Sequence, residues 1–157
     1  MQYTIVRIED HNYHLFDDMV FWRMTGKQRS QGEKKLRLKD LVVPKELSRP
    51  GFYVYGVKTK EDFVGWIAMS YIPKVGLENR NGFLYVDELW VEASNRRKGY
   101  AEALMAKADE LCDRLGVHGI RLGVNVNNPS ALSLYKKCGY ISTGQAYTME
   151  KTKKGGL

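Results

Sequence analysis

Arg96, Arg97 and Lys98 crowd against Gly99 in the stretch SNRRKGYAEALMAKADELCDRLG, Ser94 to Gly116, immediately before an uninterrupted helical pattern. The first turn of a helix prefers acidic side chains, because its free N–H groups and aligned peptide dipoles make it positive. Three cations there do nothing for the helix. They would serve a polyanionic ligand, phosphate above all, seated on the helix N-terminus. Gly99, with no Cβ, lets the backbone approach such a ligand closely. A solvated basic loop is the alternative, and this stretch alone leaves both open.

Other chemistry-bearing residues are sparser. Glu88 lies in the strand-like run FLYVDELWV. Strict alternation puts it on the side of Val86 and Trp90, with Asp87 on the side of Tyr85 and Leu89. A carboxylate among apolar neighbours is costly unless it is paired or has a function. His11 and His14 have a helical i, i+3 spacing that would suit a metal, but no acidic or cysteine partner accompanies them, so no metal is assigned. Cys112 and Cys138 fall on the apolar faces of two predicted helices without C-x-x-C spacing, which reads as reduced core thiols.

The elements that must position these residues follow from periodicity. Ala101, Leu104, Met105, Ala108, Leu111, Cys112 and Leu115 recur at spacings of three and four, and Gly116 stands where a left-handed C-cap belongs. YTIVRIE alternates like a strand and HLFDDMVFWRM reads as a helix, followed by a basic stretch from Trp22 to Pro50 with one or two short helices. Strands are expected at GFYVYGVK and FVGWIAMSYI, joined by the turn TKED, and, after the polar loop KVGLENRNG, at FLYVDELWV. After the long helix come an apolar strand, GIRLGVNV, a short helix from Pro129 to Cys138 ended by Gly139, and a last strand near AYTMEK. The tail from Lys151 to Leu157 is expected to fray. Strand, helix and strand from Phe83 to Val126 make a β-α-β unit, whose basic turn lies at the carboxyl end of a central strand, the usual ligand crevice of open α/β sheets. The turn is neither G-x-G-x-x-G nor a P-loop, so a different phosphate ligand is implied.

Bulk properties agree. The 157 residues suit one domain, 1–157, and a hydrophobic fraction of 43% is ordinary for a globular protein. No apolar run approaches the roughly 20 residues of a membrane span, so no membrane partner is expected. The polar start MQYTIVRIED has no signal-peptide apolar region, and the expected compartment is the cytoplasm. A net charge of +7 leans toward anionic ligands.

Arg96-Arg97-Lys98-Gly99-Tyr100-Ala101 resembles the [RQ]-x-x-G-x-[GA] turn of the GNAT N-acetyltransferase superfamily, preceded by a strand, ELWV, of the right kind. Asn128-Pro-Ser-Ala131-Leu-Ser-Leu134-Tyr135-Lys-Lys137-Cys-Gly139-Tyr140 resembles that family's second motif, N-x-x-A-x-x-L-Y-x-K-x-G-[FY]. Together, at this separation, the two are specific, and they cover about Phe83 to Tyr140. The resemblance implies the GNAT fold, a mixed and mostly antiparallel central sheet with flanking helices.

It also implies acetyl-CoA as co-substrate. Backbone N–H groups of Arg97 through Ala101 would hold the pyrophosphate beside Arg96 and Lys98. The edge of Leu89, Trp90 and Val91 would bond the pantetheine arm, with Asn128, Tyr135 and Lys137 completing the cofactor-binding set. Tyr135 occupies the position of the family's general acid. A phenol of pKa about 10 lies close enough to a thiol of about 8.5 for effective proton transfer. Glu88 is the candidate base, directly or through a water; Tyr71 or Asp87 are other candidates, and a salt bridge is the bland alternative.

The implied reaction is transfer of the acetyl group to a primary amine by direct attack in a ternary complex. The competing class is a non-catalytic module of GNAT-like fold that binds CoA or nucleic acid; intact Tyr135 and the full glycine turn argue against such decay, and nucleic acid is not an expected partner. The acceptor is not legible, although the stretch from Trp22 to Pro50 carries nine cations against three anions, nearly the whole net charge. A positive wall there would favour an amine that also bears a carboxylate or phosphate. A homodimer is the base-rate expectation.

Overall fold

The alternating stretches become strands and the three-four periodic ones become helices in the computed structural model, which describes residues 2–60, 62–76 and 81–153. In chain order they are β1 (Thr4–Arg7), α1 (Tyr13–Thr25), α2 (Gln31–Asp40), β2 (Phe52–Thr59), β3 (Asp62–Ile72), β4 (Phe83–Val91), α3 (Tyr100–Leu115), β5 (Gly119–Leu122) and α4 (Pro129–Lys137). Short 3-10 turns at Asp10–Asn12, Lys45–Ser48 and Ala93–Asn95 lie between them. The five strands form one sheet in sequence order. The first three pairings are antiparallel, and β4 with β5 is parallel because α3 crosses over between them. The architecture is the mixed, mostly antiparallel sheet with flanking helices that the sequence motifs imply.

Each face of the sheet has its own core. α3 lays Leu104, Met105, Ala108 and Leu111 on Tyr55, Val57, Ile67, Met69, Leu84 and Val86. Replacing buried Leu104 with alanine would cost about 2–5 kcal/mol. On the other face, Met19 of α1 joins Ile8, Leu47, Val54, Phe63, Trp66 and Ala68. Local signals set the helix ends. Gly26, at φ +80°, closes α1 by donating to Trp22 O at 2.8 Å, and Gly116, at φ +66°, caps α3. Ser30 and Glu33 exchange hydrogen bonds of 3.2 and 3.0 Å across the first turn of α2.

α2 buries none of its residues and is held by charge instead. Arg29 Nη1 meets Asp17 at 2.6 Å and Asp18 at 2.7 Å, and Arg37 Nε meets Asp17 at 2.9 Å. Burial acts to raise the Asp17 carboxyl, but hydrogen bonds from Arg37 and Arg29 outweigh it and hold it below the usual carboxylate range.

Three expectations are corrected. The apolar run GIRLGVNV pairs only over Gly119–Leu122; beyond Leu122 the chain leaves the sheet for the turn that starts α4. No strand forms near AYTMEK: residues 141–153 are exposed and outside any ladder, because an alternating pattern makes a strand only where an edge accepts it. The frayed tail is described only to residue 153, and residues 77–80 of the loop KVGLENRNG lie outside the described residues.

The third correction concerns β4. Ala68 pairs with Glu88 but Met69 pairs with Val86, so Asp87 is an extra residue, a β-bulge. Strict alternation fails there. Leu84, Val86, Leu89 and Val91 all face α3, whereas Trp90 packs in the α1 cluster. Glu88 shares the face of Trp90 but not that of Val86.

Candidate active site

The basic turn sits between the end of β4 and the start of α3, and its backbone is shaped for it. Gly99 adopts φ +83° as the residue before α3, with no side chain capping the helix, and Arg97 is also left-handed at φ +63°. The first bond across this start runs from Ala103 N to Gly99 O at 3.0 Å. The N–H groups of the first turn therefore point outward along the positive end of the dipole. A Cβ built on Gly99 meets nothing within 4 Å, so the space in front of this turn is open. That arrangement fits a phosphate group.

The three cations take different positions. Arg96 Nε donates to Val91 O at 2.9 Å and braces the end of β4 against the turn. Lys98 Nζ lies 3.4 Å from Asn95 Oδ1. Arg97 sits in the strained left-handed conformation. Glu92, which the motifs do not single out, ties the entry together. Its carboxylate accepts from Ser94 N at 2.9 Å, from the Ser94 hydroxyl and from Asn95 Nδ2 at 2.8 Å. Burial would raise its carboxyl, but these bonds prevail and hold it low. The short spacing of acceptor and hydroxyl in Glu-x-Ser-Asn is the signal that would have found it.

β4 is open along one edge here. Its pairing with β5 stops at Val86, the residue before the bulge, while its pairing with β3 runs on to Val91. The β5-side edge of Leu89, Trp90 and Val91 is thus outside any ladder, apart from the Arg96 bond to Val91 O. Leu89 and Ala101 pack against the α3-side core, and so does Tyr135. Tyr100 is buried and stacks edge-on to Tyr3 at 5.1 Å, which ties β1 to the first turn of α3.

α4 delivers the second motif to the same place. Lys137 Nζ meets Glu102 Oε1, in the first turn of α3, at 2.8 Å, so the end of α4 lies against the start of α3. Asn128 Oδ1 accepts from Ala131 N at 3.1 Å and caps α4. Tyr135 is half-buried, with its ring 6.0 Å from that of Tyr140 and its carbonyl bonded by Tyr140 N at 2.9 Å. Burial pushes the Tyr135 phenol above its ordinary value, with Cys138 adding to the effect. Cys112 and Cys138 are free and half-buried against the same core, and burial raises both thiols.

Glu88 lies on the other face, in ion-pair contact with Arg23 at 3.3 Å. The Arg23 guanidinium covers the rings of Trp66 at 5.0 Å and Trp90 at 5.7 Å. No local pattern in the sequence joins Arg23 to Glu88; the contact exists only because α1 packs on β3. Tyr71 is three residues beyond the Glu88 partner Ala68 along β3, about 10 Å away, and pairs with Leu84. Asp87 is the exposed bulge residue. His11 approaches Glu9 at 3.7 Å, and no group of three or more potential metal ligands occurs among the described residues. A cleft of about 180 Å³ between α1 and α2, lined by His14, Asp18, Lys34 and Arg37 with others, shares no residue with the turn.

The open edge, the left-handed glycine and the helix start without a side-chain cap occur where both sequence motifs meet, and the acetyltransferase (GNAT) family model matches residues 15–140. The chain belongs to the GNAT family. Among curated relatives it is 33% identical over 106 residues to GCN5-related N-acetyltransferase 4, chloroplastic, of Arabidopsis thaliana, covering 64% of this chain and 35% of that protein. It is 27% identical over 103 residues to the uncharacterized N-acetyltransferase YycN of Bacillus subtilis, covering 65% and 64%. The chain thus matches about a third of the first relative's length and just under two thirds of the second's.

Solved GNAT-fold structures superpose over nearly the whole chain. An aminoglycoside acetyltransferase from an uncultured soil metagenomic sample, in complex with trehalose, gives a TM-score of 0.75 at 16% identity, covering 96% of each chain. AAC(6')-Iy, in complex with a bisubstrate analogue, CoA-S-monomethyl-acetylneamine, gives 0.72 at 10% identity, covering 98% of this chain and 100% of that one. Ribosomal-protein-alanine N-acetyltransferase of Brucella melitensis gives 0.69 at 15%, covering 96% and 100%. At these identities the likeness is one of fold. No helix among the described residues is long and apolar enough to cross a membrane.

Proposed function

We propose that the chain is an N-acetyltransferase domain that transfers the acetyl group of acetyl-CoA to a primary amine by direct attack in a ternary complex, acting in the cytoplasm. The observation that carries this is the uncapped start of α3 at Gly99, opening onto the β4 edge that β5 leaves unpaired. Family membership and the curated relatives support the same reading.

Acetyl-CoA supplies an activated thioester. The backbone N–H groups of the turn and the start of α3, from Arg97 through Ala101, hold its pyrophosphate, with Arg97 and Lys98 adding charge and Arg96 keeping the turn against β4. The open edge of Leu89 to Val91 bonds the pantetheine amides and leads it through the gap between β4 and β5. That gap is where the two faces of the sheet meet, so Tyr135 on one face and Glu88 on the other approach the same reacting centre. Tyr135, kept protonated by burial, returns a proton to the departing sulfur. Glu88, directly or through a water, takes the proton that the amine must lose before it attacks. Asn128 and Lys137 set the position of α4, and so of Tyr135, through the cap and the bond to Glu102.

The acceptor faces α1, α2 and the Trp66–Trp90 floor. Four of the nine cations between Trp22 and Pro50 pair with acids outside that stretch: Arg23 with Glu88, Arg29 with Asp17 and Asp18, Lys34 with Asp62, and Arg37 with Asp17. The positive wall is weaker than the sequence count suggests, and what remains favours an acceptor with an anionic group only modestly. A screen of amine acceptors that reads free CoA thiol tests the proposal. Release of thiol dependent on an amine supports it; binding of acetyl-CoA with no turnover on any acceptor would leave a CoA-binding module.

A further inference from the structure

Arg23 and Glu88 meet through one contact, Nη1 to Oε2 at 3.3 Å, and each keeps most of its bonding capacity. Of the five N–H donors of a guanidinium, only one on Arg23 has a partner among the described residues. Glu88 Oε1 accepts no hydrogen bond among them. The two side chains are 41 and 48% exposed, so a ligand can reach both.

Other paired cations of the same region are taken up. Arg29 is 11% exposed and shared by Asp17 and Asp18, and Arg37 gives Nε and Nη2 to Asp17. Arg23 instead lies across Trp66 and Trp90, whose ring centroids stand 5.1 Å apart. The two rings and the Glu88 carboxylate hold its planar fork in place, so little freedom is lost when it binds an anion. A fixed guanidinium with free donors, beside a carboxylate with a free oxygen, is matched by a ligand of the reverse pattern: an ammonium next to a carboxylate.

The spacing narrows the class. Arg23 and Glu88 are in direct contact, so the two charges of the ligand must be adjacent as well. In an α-amino acid a single carbon atom separates them. A polyamine or an aminoglycoside brings no anion and would set extra cations against Arg23. The amine of a lysine side chain in a peptide is remote from any carboxylate. A peptide N-terminus presents an amide carbonyl, a neutral acceptor, where the carboxylate would be.

On the reading of this site as an acetyltransferase centre, we infer that the acceptor is a free α-amino acid, its carboxylate bound by Arg23 and its α-amine by Glu88. The amine nitrogen bonds to the thioester carbonyl carbon, and the carbon–sulfur bond breaks. Of the two protons the ammonium gives up, the one passed to Glu88 goes on to solvent, and the other replaces the proton that Tyr135 gives to sulfur. The products are the N-acetyl amino acid, CoA thiol and one proton. Arg23 touches the acceptor and not the acetyl group, so it sets specificity.

Common L-amino acids and their carboxamides, paired by side chain, test this in a free-thiol assay. The amine of the amide is the less basic of each pair and the more fully deprotonated at neutral pH, so intrinsic reactivity favours the amide and a preference for the acid reports the site. For the best pair, kcat/KM is expected to be about tenfold higher for the acid. Arg23→Met, its fold checked by circular dichroism, is expected to remove that preference by raising KM for the acid, with kcat and the KM for the amide little changed. Calorimetric titration of the same pairs into the protein saturated with CoA, where no acetyl group can move, reads binding alone. Binding that depends on the carboxylate without any thiol release would uphold the amino-acid site and overturn acetyl transfer. Acids that bind no better than their amides, a preference that survives in Arg23→Met, or a polyamine or aminoglycoside as the best acceptor would each overturn the amino-acid site itself.

Discussion

Arg23 Nη1 lies 3.3 Å from Glu88 Oε2, and the same guanidinium covers the rings of Trp66 and Trp90. Both side chains of the pair are close to half exposed, so its worth to stability is no more than about 1 kcal/mol. Its interest is chemical, because the carboxylate proposed to take a proton from an amine already faces a cation. Glu88→Gln is expected to lower kcat about 10²-fold and to weaken the acidic limb of the pH–rate profile. Arg23→Met should leave that limb in place. Steady-state kinetics of both variants check this, and an unchanged limb in Glu88→Gln would make Glu88 only the structural partner of Arg23.

Tyr135→Phe is expected to lower kcat about 10²-fold while the Kd for acetyl-CoA changes little. Burial raises the Tyr135 phenol, so the acid form persists above the ordinary tyrosine range. An alkaline loss of kcat due to Tyr135 should therefore begin only above about pH 10. A loss at lower pH that survives in Tyr135→Phe would belong to another group. Calorimetry and a pH–rate series separate the two effects.

Gly99→Ala tests the turn. The added Cβ meets no protein atom, but φ +83° strains any residue other than glycine, at about 1 kcal/mol of stability. Affinity for acetyl-CoA is expected to fall at least tenfold, about 1.4 kcal/mol. Thermal unfolding with and without acetyl-CoA reads both quantities. A variant that is destabilised yet binds normally would remove the turn from the site.

Acid stability should depend on Asp17. Its carboxyl is held below its unfolded value by Arg37 and Arg29, so its contribution is fully present above the unfolded carboxylate range. It is lost as pH falls below about 4 and through the lower folded value. Asp17→Asn is expected to cost about 3 kcal/mol near neutrality, since two guanidinium groups lose their shared partner, one of them mostly buried. The acid side of its stability curve should be flatter than that of the native chain. Urea unfolding at neutral and acid pH measures both.

The long helix, the glycine turn and the Pro129 helix start were legible because each depends on contacts within a few residues: apolar period, a left-handed C-cap, a proline at N1. The face of Glu88 was not. Alternation along FLYVDELWV has no local mark for the extra residue at Asp87, which shows only in the register with β3. The Arg23 contact was hidden for the same reason, since 65 residues separate it from Glu88. AYTMEK shows the converse error. Its pattern is that of a strand, but pattern does not supply a neighbour, and none is present within the chain's described residues.

The bulge at Asp87 sits beside the point where β4 and β5 stop pairing, and it is a matter of the number of residues rather than of their kind. Val86 and Leu89 both face α3 with two residues between them where regular alternation allows one. Deleting Asp87 would therefore return β4 to an even count without turning any inward side chain outward: Leu84, Val86, Leu89 and Val91 would keep one face, and Glu88 and Trp90 the other. The shortened strand is expected to fold with its core intact but to shift the edge of Leu89 to Val91 by one residue relative to the turn at Gly99. A one-residue change of length, with the residues proposed for catalysis and the basic turn all retained, is thus expected to impair the proposed site without unfolding the domain.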